Sequence, residues 1–174
     1  MGGYGSRLAV FGDSEGANLA AIVCQVGRDE GGPTISHQAL LYPGTDATQS
    51  QPSIVENARA PLMTRAKLDA FLDLYLGPGG LSATDPLVSP LWAASHADLP
   101  PALVQTADPD PLRDEGKLYA GRLAGAGVPV RHTNYVEVPP GCASFPRGNR
   151  HRRRARRGAG RGPRLRPPGT ARPK

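Results

Sequence analysis

Aromatic residues are scarce in this 174-residue chain: one Trp, five Tyr and three Phe, 5 % of the whole. Cysteine is scarcer still. Cys24 and Cys142 are the only two and show no close pairing signature. Nothing therefore indicates a disulfide framework, and a reducing, cytoplasmic setting is the expectation. There is no apolar run long enough to cross a bilayer and no secretory signal, so no membrane span is expected. No metal or cofactor site is expected either.

Acid is missing from one end. Residues 1–145 hold nine Lys+Arg and all fifteen Asp+Glu, a net of −6, whereas residues 146–174 hold twelve Lys+Arg and no acid, a net of +12. The overall +6 is therefore the sum of two unlike pieces. The first is long enough for one domain. The second is almost only Arg, Gly, Pro and Ala and has no apolar periodicity with which to bury a core, so it is expected to be disordered.

The first piece alternates strand-like and helix-like stretches. Leu8 to Phe11 reads as a short buried strand, and Glu15 to about Asp29 as a helix stopped by Gly31-Gly32-Pro33. Ile35 to Tyr42 reads as a second strand. Thr64 is placed to cap a helix from Arg65 to Leu76, with Leu68, Phe71, Leu72 and Tyr75 at helical spacing. Ala102 to Thr106 is a third strand, Leu112 to Ala126 a helix, and Val128 to Val138 a fourth strand. Such alternation argues for an α/β fold with a mostly parallel sheet and flanking helices. Cys24 falls in the first helix and is expected to be a buried apolar filler.

Gly12-Asp13-Ser14-Glu15-Gly16 is a G-x-S-x-G run between the first strand and the first helix. Strand, sharp turn and helix are the context of a nucleophile elbow, which lifts a serine hydroxyl out of a sheet. Its two glycines are expected to let the backbone pass without a clash. The plainer alternative is an ordinary turn with Ser14 as helix cap.

The run extended to Ala20 resembles the G-D-S-A-G-G-N-L-A segment of hormone-sensitive-lipase-like α/β-hydrolases. Leu40 to Asp46 resembles that branch's strand ending in Y-P. Asp85-Pro86-Leu87-Val88-Ser89-Pro90-Leu91 resembles its D-P-x-x-S-P-L segment. Leu99 to Val104, continuing to Asp110-Pro111-Leu112-Arg113-Asp114-Glu115-Gly116, resembles its L-P-P-A-x-V…D-P-L-R-D-E-G block. The order is collinear from Arg7 to about Val138, and residues 44–95 would be a cap-side insertion.

The resemblance implies a partial α/β-hydrolase fold, a small-molecule ester substrate and a Ser-His-Asp mechanism. Ser14 would be the nucleophile, the backbone N–H of Glu15 one oxyanion donor, and Asp110 the acid that orients the histidine. Asp46 and Asp114 are weaker candidates for that acid, Asp114 because it lies one turn into the following helix. The family alanine is replaced by Glu15, which is expected to face solvent at the helix N-terminus.

Where the family has Y-x-x-x-x-H-G-F, this chain has Tyr135-Val136-Glu137-Val138-Pro139-Pro140-Gly141-Cys142. Pro140 occupies the position of the general base and has no titratable group. His132, His37, His96 and His151 are poor substitutes by position. No H-G-G-G stretch, the family's other oxyanion segment, occurs in the sequence. Impaired activity or a catalytically dead remnant is therefore expected. Without the family's earlier strands, the first strand is expected to leave a sheet edge open to self-association.

The tail has two readings. As an arm it would bind phosphate backbones without sequence choice, and it interleaves no aromatic for specific nucleic-acid recognition. The preferred reading is GC-rich codons read out of frame, since the family closes with a helix that Arg-Gly-Pro sequence does not build.

Overall fold

The computed structural model describes residues 8–136 and 140–141. Four parallel strands make one sheet: β1 (Leu8–Asp13), β2 (Ile35–Leu41), β3 (Ala102–Ala107) and β4 (Val130–Tyr135), in the order β1-β2-β3-β4. Helix α1 (Glu15–Asp29) links β1 to β2, and α4 (Arg113–Gly125) links β3 to β4. Between β2 and β3 lie the short α2 (Ser53–Glu56), α3 (Arg65–Leu76) and a 3-10 turn at Pro90–Trp92. The α/β reading holds.

α1 and α4 share one core, so they cover the same face of the sheet. Ala17, Ala20, Ala21 and Cys24 of α1 meet Leu40 and Val104 of the sheet, together with Tyr119, Ala120 and Leu123 of α4. The small residues of α1 allow a close approach. Gly116 does the same for α4, because a Cβ there would stand 2.9 Å from Thr106 Cγ2. Cys24 is the apolar filler its position indicated, and burial pushes its thiol up to about 12.

Several boundaries differ from the sequence reading. β1 runs on to Asp13, because Gly12 and Asp13 keep parallel register with Leu40 and Leu41. β4 begins at Val130 and its ladder with β3 ends at Tyr135; the Val138 end expected for it falls outside the described residues. In α3 the Thr64 cap is present, its hydroxyl accepting from the Lys67 N–H at 3.3 Å. Only Leu68 is buried there, however, while Phe71 and Tyr75 are exposed. Helical spacing marked a stripe wider than the one that is covered. The basic segment 146–174, Cys142 and His151 lie outside the described residues.

β1 is hydrogen-bonded on one side only among the described residues. Leu8 and Phe11 along it are exposed, Phe11 by 62 %, and Leu19 and Val23 of α1 are exposed as well. An unpaired strand flanked by apolar side chains is a template for pairing. The chain is therefore expected to self-associate with rising concentration in sedimentation velocity, and Phe11→Lys to shift it towards monomer. A concentration-independent monomer would contradict this.

Candidate active site

A parallel sheet sends all its strand ends to one edge, and loops there collect side chains from distant parts of the chain. Asp13 lies level with Leu41, Leu41 with Gln105, and Gln105 with Thr133. Ser14 follows directly after β1, Asp110 sits in the loop after β3, and Pro140 lies past the end of β4.

Ser14 has φ 53° and ψ −122°, a left-handed conformation that a non-glycine residue adopts only under constraint. The constraint is visible. The Ser14 N–H donates to Leu41 O at 2.9 Å, and its carbonyl accepts from the N–H groups of Ala17 and Asn18 at 2.9 and 3.1 Å. The turn is so tight that a Cβ on Gly12 would lie 2.0 Å from Gly16 O, whereas a Cβ on Gly16 would meet nothing within 4 Å. Of the two glycines, then, only Gly12 is needed to avoid a clash. Gly12→Ala is expected to destabilise the fold by about 3 kcal/mol or more, read as a lowered unfolding midpoint, with Gly16→Ala far milder.

The serine does not cap α1 with its side chain. Its Oγ donates instead to Glu15 Oε2 at 2.5 Å. Glu15 is exposed at the helix N-terminus, as its position indicated, but its carboxylate is engaged by the serine rather than only by solvent. The Glu15 N–H begins α1, where no intrahelical carbonyl is in reach.

Asp110 is completely buried. Its Oδ1 accepts from the Leu112 N–H at 3.0 Å, and Oδ2 has no hydrogen-bond partner. Burial is the main cause that raises its carboxyl to about 7; the Leu112 N–H opposes the rise, the Glu15 charge adds to it, and Arg113 opposes it. That Glu15 contributes ties the elbow and Asp110 electrostatically. The other two acids are committed elsewhere. Asp46 accepts from the Thr48 and Ser50 hydroxyls and from Trp92 Nε1, at 2.5, 2.6 and 2.9 Å. Asp114 pairs with Arg113 at 2.8 Å and accepts from the Ser53 N–H at 3.1 Å.

None of the described histidines serves Ser14. His132 shares a 3.0 Å hydrogen bond with Thr106 Oγ1. It sits on β4, three strand spacings from β1, about 14 Å. His37 lies beside Ala9, near the opposite edge. His96 is buried, 3.1 Å from Pro90 O and edge-on to Tyr119. Pro140 is buried and Gly141 takes φ 79°.

Sequence reasoning missed Glu115. It is buried, its Oε1 accepts from the N–H groups of Thr45 and Asp46 at 2.6 and 3.1 Å, and burial holds its carboxyl well above the usual range. Asn18 was also passed over: its Nδ2 donates to Gly44 O and Val88 O, each at 2.8 Å. Ser89 Oγ accepts from the Ala47 N–H at 2.7 Å and donates to Ala83 O at 2.6 Å. These three side chains fasten loops at this edge of the sheet. The only signal for them was their place inside the motif runs, which says nothing of a partner brought close by the fold.

A cavity of about 430 Å³ opens beside the elbow, lined by Glu15, Leu19, Leu68, Phe71, Tyr75 and Glu115 among others. That size and its apolar walls suit part of a small organic ligand. Among the described residues no cluster of three or more His, Cys, Asp or Glu is placed to hold a metal, and no helix is long and apolar enough to cross a membrane.

Known proteins are similar to this chain in sequence and fold. A family model for the alpha/beta hydrolase fold matches residues 1–143. Carboxylesterase NlhH of Mycobacterium tuberculosis (strain ATCC 25618 / H37Rv) is 45 % identical over 149 residues, covering 83 % of this chain and 46 % of its own length. Esterase LipI of the same strain is 46 % identical over 139 residues, covering 80 % and 43 %. The crystal structure of EstE1, a thermostable carboxylesterase cloned from a metagenomic library, superposes with a TM-score of 0.81 at 34 % identity, covering 90 % of this chain and 54 % of its own. The chain thus spans about half the length of the relatives it matches.

Proposed function

The chain belongs to the α/β-hydrolase fold family, and on that premise we propose that it acts on carboxylic esters with Ser14 as nucleophile. The observation that carries the reading is the backbone of Ser14, held at φ 53° by a turn that only glycine at position 12 permits. Ester hydrolysis also accords with the names of the esterase relatives.

In this reading Ser14 Oγ attacks the ester carbonyl, and the Glu15 N–H stabilises the oxyanion that forms. Asp110 is the acid of the triad. Its buried, unpartnered Oδ2 is what such an acid looks like when the histidine it would orient is replaced. Pro140 leaves that place without a proton acceptor, so turnover is impaired. The cavity beside Glu15 takes an apolar portion of the substrate. Ser14→Ala is expected to remove the protein-dependent hydrolysis of p-nitrophenyl butyrate, followed as nitrophenolate release. Unchanged release in that variant contradicts the reading.

The cavity also favours a second reading, a catalytically dead chain that holds ester-like ligands. Saturable binding of the butyrate ester with no Ser14-dependent turnover is its signature.

A further inference from the structure

The hydroxyl of Ser14 is already hydrogen-bonded to a base. Its Oγ donates to Glu15 Oε2 at 2.5 Å. The bond is not a by-product of helix capping, since no side-chain cap bond forms at Ser14. Among the described residues Asp110 accepts only from the Leu112 N–H, and its unpartnered Oδ2 is not bonded to Ser14. Asp13 accepts from the Tyr42 hydroxyl at 3.2 Å, and Glu115 from the Thr45 and Asp46 N–H groups. Asp46 is saturated by hydroxyl and indole donors, and Asp114 is paired with Arg113. His132 and His96 are bonded to Thr106 and Pro90, and His37 stands near the opposite edge of the sheet. Among the described residues, Glu15 is the one proton acceptor that a hydrogen bond joins to Ser14 Oγ.

We infer that in this chain Glu15 is the general base of Ser14, making the adjacent pair a self-contained dyad for esters with good leaving groups. The inference rests on the reading of Ser14 as nucleophile and goes beyond it. The Oγ proton passes to Glu15 Oε2 as the Oγ–C bond forms and the carbonyl π pair moves onto oxygen. The tetrahedral intermediate collapses, the ester C–O bond breaks, and the leaving oxygen takes the proton back from Glu15. Water then adds to the acyl-serine, giving a proton to Glu15. The Oγ–C bond breaks, the carboxylic acid departs, and the proton returns to Oγ. One ester and one water become one acid and one alcohol.

The electrostatics allow this. A carboxylate beside an oxyanion repels it, but Glu15 is neutral once it has taken the proton, so the repelling charge disappears as the oxyanion forms. The geometry restricts the substrates. A carboxylate is a weaker base than imidazole, so the dyad suits phenyl-type esters, whose leaving groups need little proton assistance. Glu15 also lines the apolar cavity, so the base and the place for a substrate adjoin.

The test uses the full 174-residue chain with p-nitrophenyl acetate, comparing it with Glu15→Gln, Glu15→Ala, Glu15→Asp and Ser14→Ala at matched far-ultraviolet circular dichroism. Glu15 is exposed, so these variants should keep the fold. Glu15→Gln and Glu15→Ala are expected to lose about 10- to 100-fold in rate, with Glu15→Asp keeping part of it. Added formate should restore release in Glu15→Ala, saturably, and do nothing for Ser14→Ala. A purely structural role for Glu15 does not produce that rescue. Glu15→Ala as fast as the parent, with Ser14→Ala slow, overturns the dyad and leaves the nucleophile standing. Ser14→Ala as fast as the parent overturns both.

Discussion

Pro140→His is expected to raise the rate of ester hydrolysis by about 10²- to 10⁴-fold, the usual worth of a positioned general base. Three parts of the arrangement are already in place. Ser14 is held in the elbow at φ 53°, Asp110 is buried with Oδ2 free, and position 140 is buried beyond the end of β4. On the proposed reading, a histidine there links the serine to the acid. Its signature is a rate that rises through the imidazole range near pH about 6.5, and that Ser14→Ala removes. No gain from Pro140→His would mean that position 140 does not stand between Ser14 and Asp110.

Asp110→Asn is expected to stabilise the chain at pH 8 and to destabilise it at pH 4. The carboxyl is raised from 3.8 to about 7, chiefly by burial. A carboxyl whose folded value lies above its unfolded value stabilises below the unfolded value and loses that contribution as pH rises through the folded one. The window is therefore pH about 4 to 7. A rise of that size corresponds to an upper bound of about 4 kcal/mol. The asparagine amide would itself be buried without an acceptor, so a gain of about 1–3 kcal/mol at pH 8 is expected.

Glu115, also raised by burial, keeps part of the same slope in the variant. Asp46 and Asp114, held low by their donors, add the opposite slope in acid. Thermal midpoints at pH 4, 6 and 8 and fixed protein concentration decide the matter. In the Pro140→His background the advantage of Asp110→Asn should shrink, because an imidazolium gives the carboxylate a partner. An equal effect of Asp110→Asn at all three pH values would contradict a carboxyl raised by burial.

Much of this was legible in the sequence, for identifiable reasons. α1 was bounded at Glu15 and Asp29 by a tight turn before it and Gly31-Gly32-Pro33 after it. The sheet followed from alternating apolar strands and helices, and the proline at position 140 is a matter of residue identity alone. What the sequence hid is long-range. Glu115 is one acid in an acidic run, and only the fold brings the Thr45 and Asp46 N–H groups onto it. The roles of Gly12 and Gly16 look identical in the motif, yet only the first is overlaid by backbone. The Ser14–Glu15 bond depends on a rotamer that a motif does not encode.

Whether Ser14 is the nucleophile is decided by finding where an acyl group goes. The chain is mixed with p-nitrophenyl acetate, quenched in acid and mapped by peptide mass spectrometry. One acetyl group is expected on the peptide carrying Ser14, absent from Ser14→Ala. Acetyl groups spread over lysines and tyrosines, with Ser14 unmodified, would contradict a nucleophilic Ser14.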